Sequence, residues 1–215
     1  MSCDLRYAEA FDYSLIWQCA SIISGIDTAG AGTTLTDATA TFLTGDRLEV
    51  GMPLYNATAN TYGKITSVAD TTLGTTITWT LGDSYQIARV EADTVAMIES
   101  YLRIAAGDIN AARESAAACD CTISPAMDMY MRKLNVIDAA IWHNCPCARP
   151  NLSDTQRQGY LFWITEQLDN IRTGAMELCS GYGGSSVPAV GFAQMAWTDW
   201  RAAEIIVDRL LRESS

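Results

Sequence analysis

The sequence predicts an α+β protein: an antiparallel α-helical bundle carrying a small all-β unit, a sandwich or a barrel, as an insertion near the N-terminus. Three observations predict it. Residues 21–90 hold short runs of β-branched and aromatic side chains bounded by Gly, Asp or Asn. Residues 91–180 switch to apolar positions three and four apart. Each of those later segments is bracketed by a helix start or stop signal. The chain therefore divides into an N-terminal segment, 1–20, associated with the helices, the β insertion, 21–90, the helical bundle, 91–180, and a linker with a C-terminal docking helix, 181–215.

At the N-terminal end, residues 7–23 are apolar enough for a helix or a strand, and the pattern does not decide between them. The β runs follow at 25–27, 30–36, 39–42, 50–56, 63–68, 76–79 and 84–87, a spacing of roughly ten residues that suits antiparallel strands. Threonine dominates them, and its hydroxyl suits a strand with one wet face. The first long helix, within 91–118, places Val95, Ile98, Leu102, Ala105, Ala106, Ile109 and Ala112 on one stripe. The motif Cys119-Asp120-Cys121-Thr122-Ile123-Ser124-Pro125 breaks that pattern, with Ser124 as N-cap and Pro125 at the first position of a helix over 127–142. Cys145-Pro146-Cys147-Ala148-Arg149-Pro150 cannot continue it. Ser153 caps a third helix over 156–171, closed by the basic Arg172 and by Gly174. Short links between three helices predict an antiparallel bundle, with Trp142 and Trp163 on inner faces. Glu99, Asp108, Glu114, Asp128 and Asp138 fall on the solvent-side phases.

Composition excludes several classes of function. A formal charge of −11 with only two lysines, Lys64 and Lys133, argues against binding the phosphate backbone of a nucleic acid. No apolar run approaches the ~20 residues of a membrane helix, so no membrane partner is expected. The start Met1-Ser2-Cys3-Asp4 lacks the basic and apolar regions of a signal peptide, and the expectation is a chain made in a cytoplasm. No nucleophile elbow, Walker loop, zincin motif or dinucleotide fingerprint appears, and His143 is the sole histidine. It falls on the last turn of its helix, where an imidazole bonds free carbonyls. No enzyme activity and no cofactor are expected.

The seven cysteines carry the sharpest chemical pattern, in Cys119-x-Cys121 and Cys145-x-Cys147, with Cys179 after the third helix. Thiolates at this density are enough for a zinc or iron–sulfur site, for disulfides formed after release into oxidising surroundings, or for nothing beyond buried reduced side chains. A straight helix over 125–143 would hold the two pairs about 30 Å apart. Cys179 returns in an antiparallel bundle to the end that holds Cys119 and Cys121.

Six tryptophans are a high count for 215 residues. Trp197 and Trp200 lie beyond the flexible run Gly181-Tyr182-Gly183-Gly184-Ser185-Ser186, and the tail continues through Ile205, Ile206, Leu210 and Leu211. An apolar helix on such a tether buries its face against a partner or folds back on its own bundle.

With these elements placed, residues 94–178 resemble a known family. Ile98-Glu99-Ser100-Tyr101-Leu102, Asp108-Ile109-Asn110-Ala111-Ala112, Leu134-Asn135-Val136-Ile137-Asp138-Ala139-Ala140 and Gln167-Leu168-Asp169-Asn170-Ile171-Arg172-Thr173-Gly174 are similar to the helical head-to-tail connector (adaptor) proteins of tailed bacteriophages and gene-transfer particles. The resemblance covers about two fifths of the chain. Residues 34–37, 51–58 and 79–85 are similar to small β-modules of phage virion proteins. The resemblance implies a structural protein that forms a ring of about twelve copies beneath the portal. Its partners would be its own copies, the portal protein and a tail-side neck or tail protein, with packaged DNA only as channel contents. Its place would be the virion neck, after synthesis in the host cytoplasm. Trp197, Trp200, Ile205, Ile206, Leu210 and Leu211 are the expected portal-facing contacts. Two other readings stay open. One is a virion or host-surface-binding protein using exposed Tyr55, Tyr62 and Tyr85, with Trp79, as stacking platforms. The other is a metal or thiol protein using Cys119, Cys121, Cys145, Cys147 and Cys179.

Overall fold

The computed structural model describes residues 5–118, 122–147, 152–176 and 178. In chain order these form α1 (Ala10–Trp17), β1 (Ile22–Ile26), β2 (Ala31–Thr36), β3 (Pro53–Asn56), β4 (Thr61–Val68), β5 (Thr72–Thr80), β6 (Ser84–Ala88), α2 (Ala92–Ser115), α3 (Pro125–Ile141) and α4 (Asp154–Arg172). The chain is a mixed α+β protein whose described residues make four helices and one curled, six-stranded antiparallel sheet.

The ambiguous N-terminal stretch resolves into a helix and then a strand. Asp12 accepts the Glu9 backbone N–H at 2.9 Å and so satisfies one orphan donor of the first turn. Ala10, Phe11, Tyr13, Ile16 and Trp17 are all buried and the one exposed position, Leu15, is itself apolar, so α1 leaves no 3.6-residue alternation in the sequence. Gln18, at φ +49°, ends the helix in the left-handed region, and the Cys19 N–H returns to the Ser14 carbonyl.

The sheet runs β1-β6-β3-β4-β5-β2. Ile22 pairs with Ala88, Leu54 with Ile87, Tyr55 with Tyr62 and Leu35 with Leu73. Register shifts in the β2–β5 and β4–β5 pairings add twist to the β4–β5–β2 end. Curling brings Leu35, Phe42, Leu54, Ile65, Leu73, Trp79, Tyr85 and Ile87 into one core. The expected strand at 39–42 is instead a turn. Asp37 accepts from the backbone and the hydroxyl of Thr39, and Gly45 and Asp46 both donate to the Thr41 carbonyl. A local hydrogen-bonding alternative therefore outcompetes the ladder, and Phe42 plugs the sheet rather than lying in it. Likewise β3 begins only at Pro53, the one position in a strand where a missing N–H is cheap.

The three later helices form close to where their caps place them. The Ser124 and Ser153 hydroxyls accept from Met127 N and Gln156 N, and Gly174 takes φ +70° just past α4. Each of these helices packs against the other two, and α1 packs against α2 and α3. Val95, Ile98, Leu102, Ala105, Ile109, Leu134, Ile137, Ile164 and Ile171 share one core with α1. Two expectations fail here. Trp142 is 56% exposed, because it lies one residue past the end of α3. Asp138 is 1% exposed, because Val136, Ile137, Ala139, Ala140 and Ile141 around it are also buried and α3 has no solvent side near its end. Among the described residues no helix is long and apolar enough to cross a membrane.

Sheet and helices meet at an aromatic seam. Phe11 of α1 stacks on Tyr55 at 5.5 Å, Tyr55 lies 4.7 Å from Tyr62, and the Arg132 guanidinium sits 5.0 Å over the Tyr62 ring. Arg132 also bridges Asp12 at 3.4 Å and Asp128 at 3.1 Å.

Candidate functional site

Among the described residues, one group of three ligand-type side chains converges where α2 meets the end of α3. Asp108 stands on α2, Asp138 in the last turn of α3, and His143 two residues past that helix. One ligand atom from each lies within 4.8 Å of the other two. His143 Nε2 is 3.0 Å from Asp108 Oδ2. The group runs from buried to open: Asp138 is sealed, the His143 side chain is 16% exposed and that of Asp108 44%. Asp138 Oδ2 is buried without a hydrogen-bond partner. Burial, and next the like charge of Asp108, push the Asp138 carboxyl up to about 7. Asn135, three residues earlier, donates to the Leu102 carbonyl at 2.9 Å and fixes how α3 lies on α2.

The sequence missed this group. It placed Asp108 and Asp138 on solvent faces and gave His143 a carbonyl partner, whereas the imidazole meets a carboxylate. One signal was available: Asp138 interrupts an otherwise apolar run, 136–141, and a lone acid in such a run is a buried group in need of a partner.

Of the expected thiol cluster, Cys119, Cys121 and Cys179 lie outside the described residues. Cys145 and Cys147 are joined by Cys19, which sequence reasoning left unassigned and which is distant in the chain. The Cys19 thiol donates to the Cys147 carbonyl at 3.5 Å, and the Cys145 thiol to the Ala139 carbonyl at 3.0 Å. All three are free thiols. Burial pushes Cys145 up to about 12, so it is an inert thiol at neutral pH. The neighbouring Cys147 thiol and burial push Cys19 up, whereas the Cys19 thiol holds Cys147 down, making Cys147 the more acidic of the pair.

The exposed aromatic platform is not present as expected. Tyr85 is buried in the sheet core, where its hydroxyl donates to Asp37 at 2.8 Å and its ring meets Phe42 edge-on, and Trp79 is buried beside it. Tyr55 and Tyr62 are half-buried against Phe11 and Arg132 in the seam. The rings therefore lie on two faces: Tyr55 and Tyr62 on the one that α1 covers, Tyr85 and Trp79 inside the curled sheet. Trp163 is half-buried, edge-on to Tyr130. Trp197, Trp200, Ile205, Ile206, Leu210 and Leu211 lie outside the described residues.

Comparison of the chain with protein-family models, with curated proteins and with solved structures finds no match.

Proposed function

We propose that the chain is a structural virion protein, a head-to-tail connector whose copies form a ring beneath the portal, extend the DNA channel and give the tail a platform. The observation that carries this reading is the set of large apolar side chains on outer helix faces. Met97 and Ile104, two turns apart on α2, are each 47% exposed, and Phe162 on α4 is 73% exposed. Side-by-side packing of copies would cover them.

In this reading α2, α3 and α4 are the antiparallel bundle, and the sheet is an insertion that decorates it towards the outer wall or the next tail component. The 181–215 tail docks on the portal through Trp197, Trp200, Ile205, Ile206, Leu210 and Leu211. The charge of −11 suits a wall that holds packaged DNA off rather than binding it. The protein has no catalytic step and resides in the virion neck after synthesis in the host cytoplasm.

Negative-stain images of the purified chain, alone and with portal, test the ring: closed rings are expected, and a monomer under both conditions refutes the reading. Ile104→Asp with Phe162→Asp should abolish the ring while leaving the melting temperature within a few degrees, because both side chains are already solvated in the monomer. A chain truncated before Pro188 tests the tail separately. If it joins DNA-filled heads at normal occupancy, the portal-contact assignment fails even where rings form.

A further inference from the structure

We propose that Asp108, Asp138 and His143 bind one divalent transition-metal ion, of the borderline class represented by Zn²⁺, at the junction of α2 with the end of α3. The inference is independent of the connector reading.

Three features point to it. The first is convergence: two carboxylates and the chain's sole imidazole, drawn from two helices and a following loop, put one ligand atom each within 4.8 Å of the others. Ligands about 2.1 Å from a shared tetrahedral ion lie about 3.4 Å apart, so the site closes on an ion with side-chain shifts of about 1 Å. His143 Nε2 and Asp108 Oδ2, at 3.0 Å, are already that close. The second is an unmet need. Asp138 Oδ2 is sealed from water yet accepts no hydrogen bond. A buried carboxylate oxygen left bare is unfavourable, and an ion supplies what is missing. Asp27 Oδ2 in the sheet is also bare, but its sister oxygen accepts from Gly30 and Thr36, and among the described residues it belongs to no such three-ligand group. The third is access: the half-exposed Asp108 rim lets an ion enter, and its charge adds to the attraction.

The donor set names the class. An imidazole nitrogen with two carboxylate oxygens favours Zn²⁺ or a neighbouring first-row ion over Ca²⁺ and Mg²⁺, which prefer all-oxygen shells. Three protein ligands leave one position for water. The ion would clip the segment after α3 to the flank of α2, next to exposed Trp142.

Equilibrium dialysis of the full chain against Zn²⁺, with Co²⁺ as a spectroscopic substitute and a non-chelating phosphine as reductant, tests the site. The expected result is ~1 equivalent bound at this site, with visible Co²⁺ d–d bands of tetrahedral intensity and no thiolate charge-transfer absorption, unaffected by excess Mg²⁺. His143→Gln and Asp138→Asn should each weaken binding by at least about 10-fold. The Zn²⁺-dependent rise in melting temperature should vanish in both. Should Asp138→Asn disturb folding in chelator, Asp108→Asn on the exposed rim takes its place. No binding, a thiolate band that accounts for all bound Co²⁺, or affinity unchanged in His143→Gln and an acidic-ligand variant would overturn the proposal.

Discussion

The sheet and the helical layer each bury acidic side chains, but they treat them differently. In the sheet, Asp37 accepts from the Thr39 N–H and hydroxyl and from Tyr85, and Asp83 accepts from Asn56 Nδ2 at 2.8 Å and Thr80 N at 2.9 Å. These carboxylates end turns and tie strands, using a side chain where the backbone has run out of partners. In the helical layer, Asp12 has one backbone donor and the distant fork of Arg132, and Asp138 Oδ2 has nothing. Helices satisfy their own interior N–H groups, so an acid between them must find its partner among side chains or ligands. The same residue type is therefore structural in one half and poised in the other.

Removing one acid from each half gives the widest contrast. Asp83→Ala strands the buried Asn56 amide and removes the bond to Thr80 N, and should cost about 1–3 kcal/mol in urea denaturation at neutral pH. Asp138→Asn, measured in chelator, should cost less than about 1 kcal/mol, since no donor depends on Oδ2 and the new amide can donate to Asp108. Equal losses would erase the distinction between the halves.

The seam comes next. Tyr62 is packed between Tyr55 and the Arg132 guanidinium, so Tyr62→Ala should cost about 2–3 kcal/mol, less than the 3–5 of a fully buried ring. A loss confined to the sheet signals in hydrogen exchange would show that the helices do not depend on the seam.

What the sequence makes legible follows the same division between local and distant partners. Ser124, Pro125, Ser153 and Gly174 marked helix ends because each acts on backbone within four residues of itself. Residues 39–42 misled for a related reason: their β-branched composition was visible, but the Asp37 bonds that fold them into a turn compete locally with any ladder. The 3.6-residue period marks one face of a helix and gives no signal where nearly every position is apolar or covered, as over α1 and around Asp138. The meeting of Asp108 with His143, and of Cys19 with Cys147, depends on how elements cross, and no spacing within either segment encodes it.

Acidity separates the halves with a smaller effect. Burial pulls Asp37 up, but hydrogen bonds from Thr39 and Tyr85 outweigh it and hold the carboxyl below its ordinary value. Its stabilisation is present above the unfolded pKa and is lost as pH falls through the folded one, below about pH 4. Burial raises Asp12 despite the Glu9 N–H and Arg132. Its contribution is complete below the unfolded pKa and is lost as pH rises through the folded one, above about pH 4. Asp37→Asn should flatten the acid limb of the stability profile, and Asp12→Asn the limb above it. Melting temperatures across pH 2.5–7 (roughly the span of both transitions) read both, and slopes of one sign would refute the assignment.

The smallest effect tests what joins the halves. Lys64 on β4 and Glu99 on α2 approach to 2.7 Å, the shortest ion pair across the seam, and distance alone would make it a principal tie. Both side chains are solvated, at 42% and 27% exposure, so water and salt screen the attraction and ordering two long chains offsets much of it. Lys64→Ala should therefore cost about 0–1 kcal/mol and become neutral by about 0.5 M salt, while the Tyr62→Ala loss persists there. A Lys64→Ala loss that matched Tyr62→Ala and survived salt would mean that charge, not the Phe11–Tyr55–Tyr62 stack, holds sheet to helices.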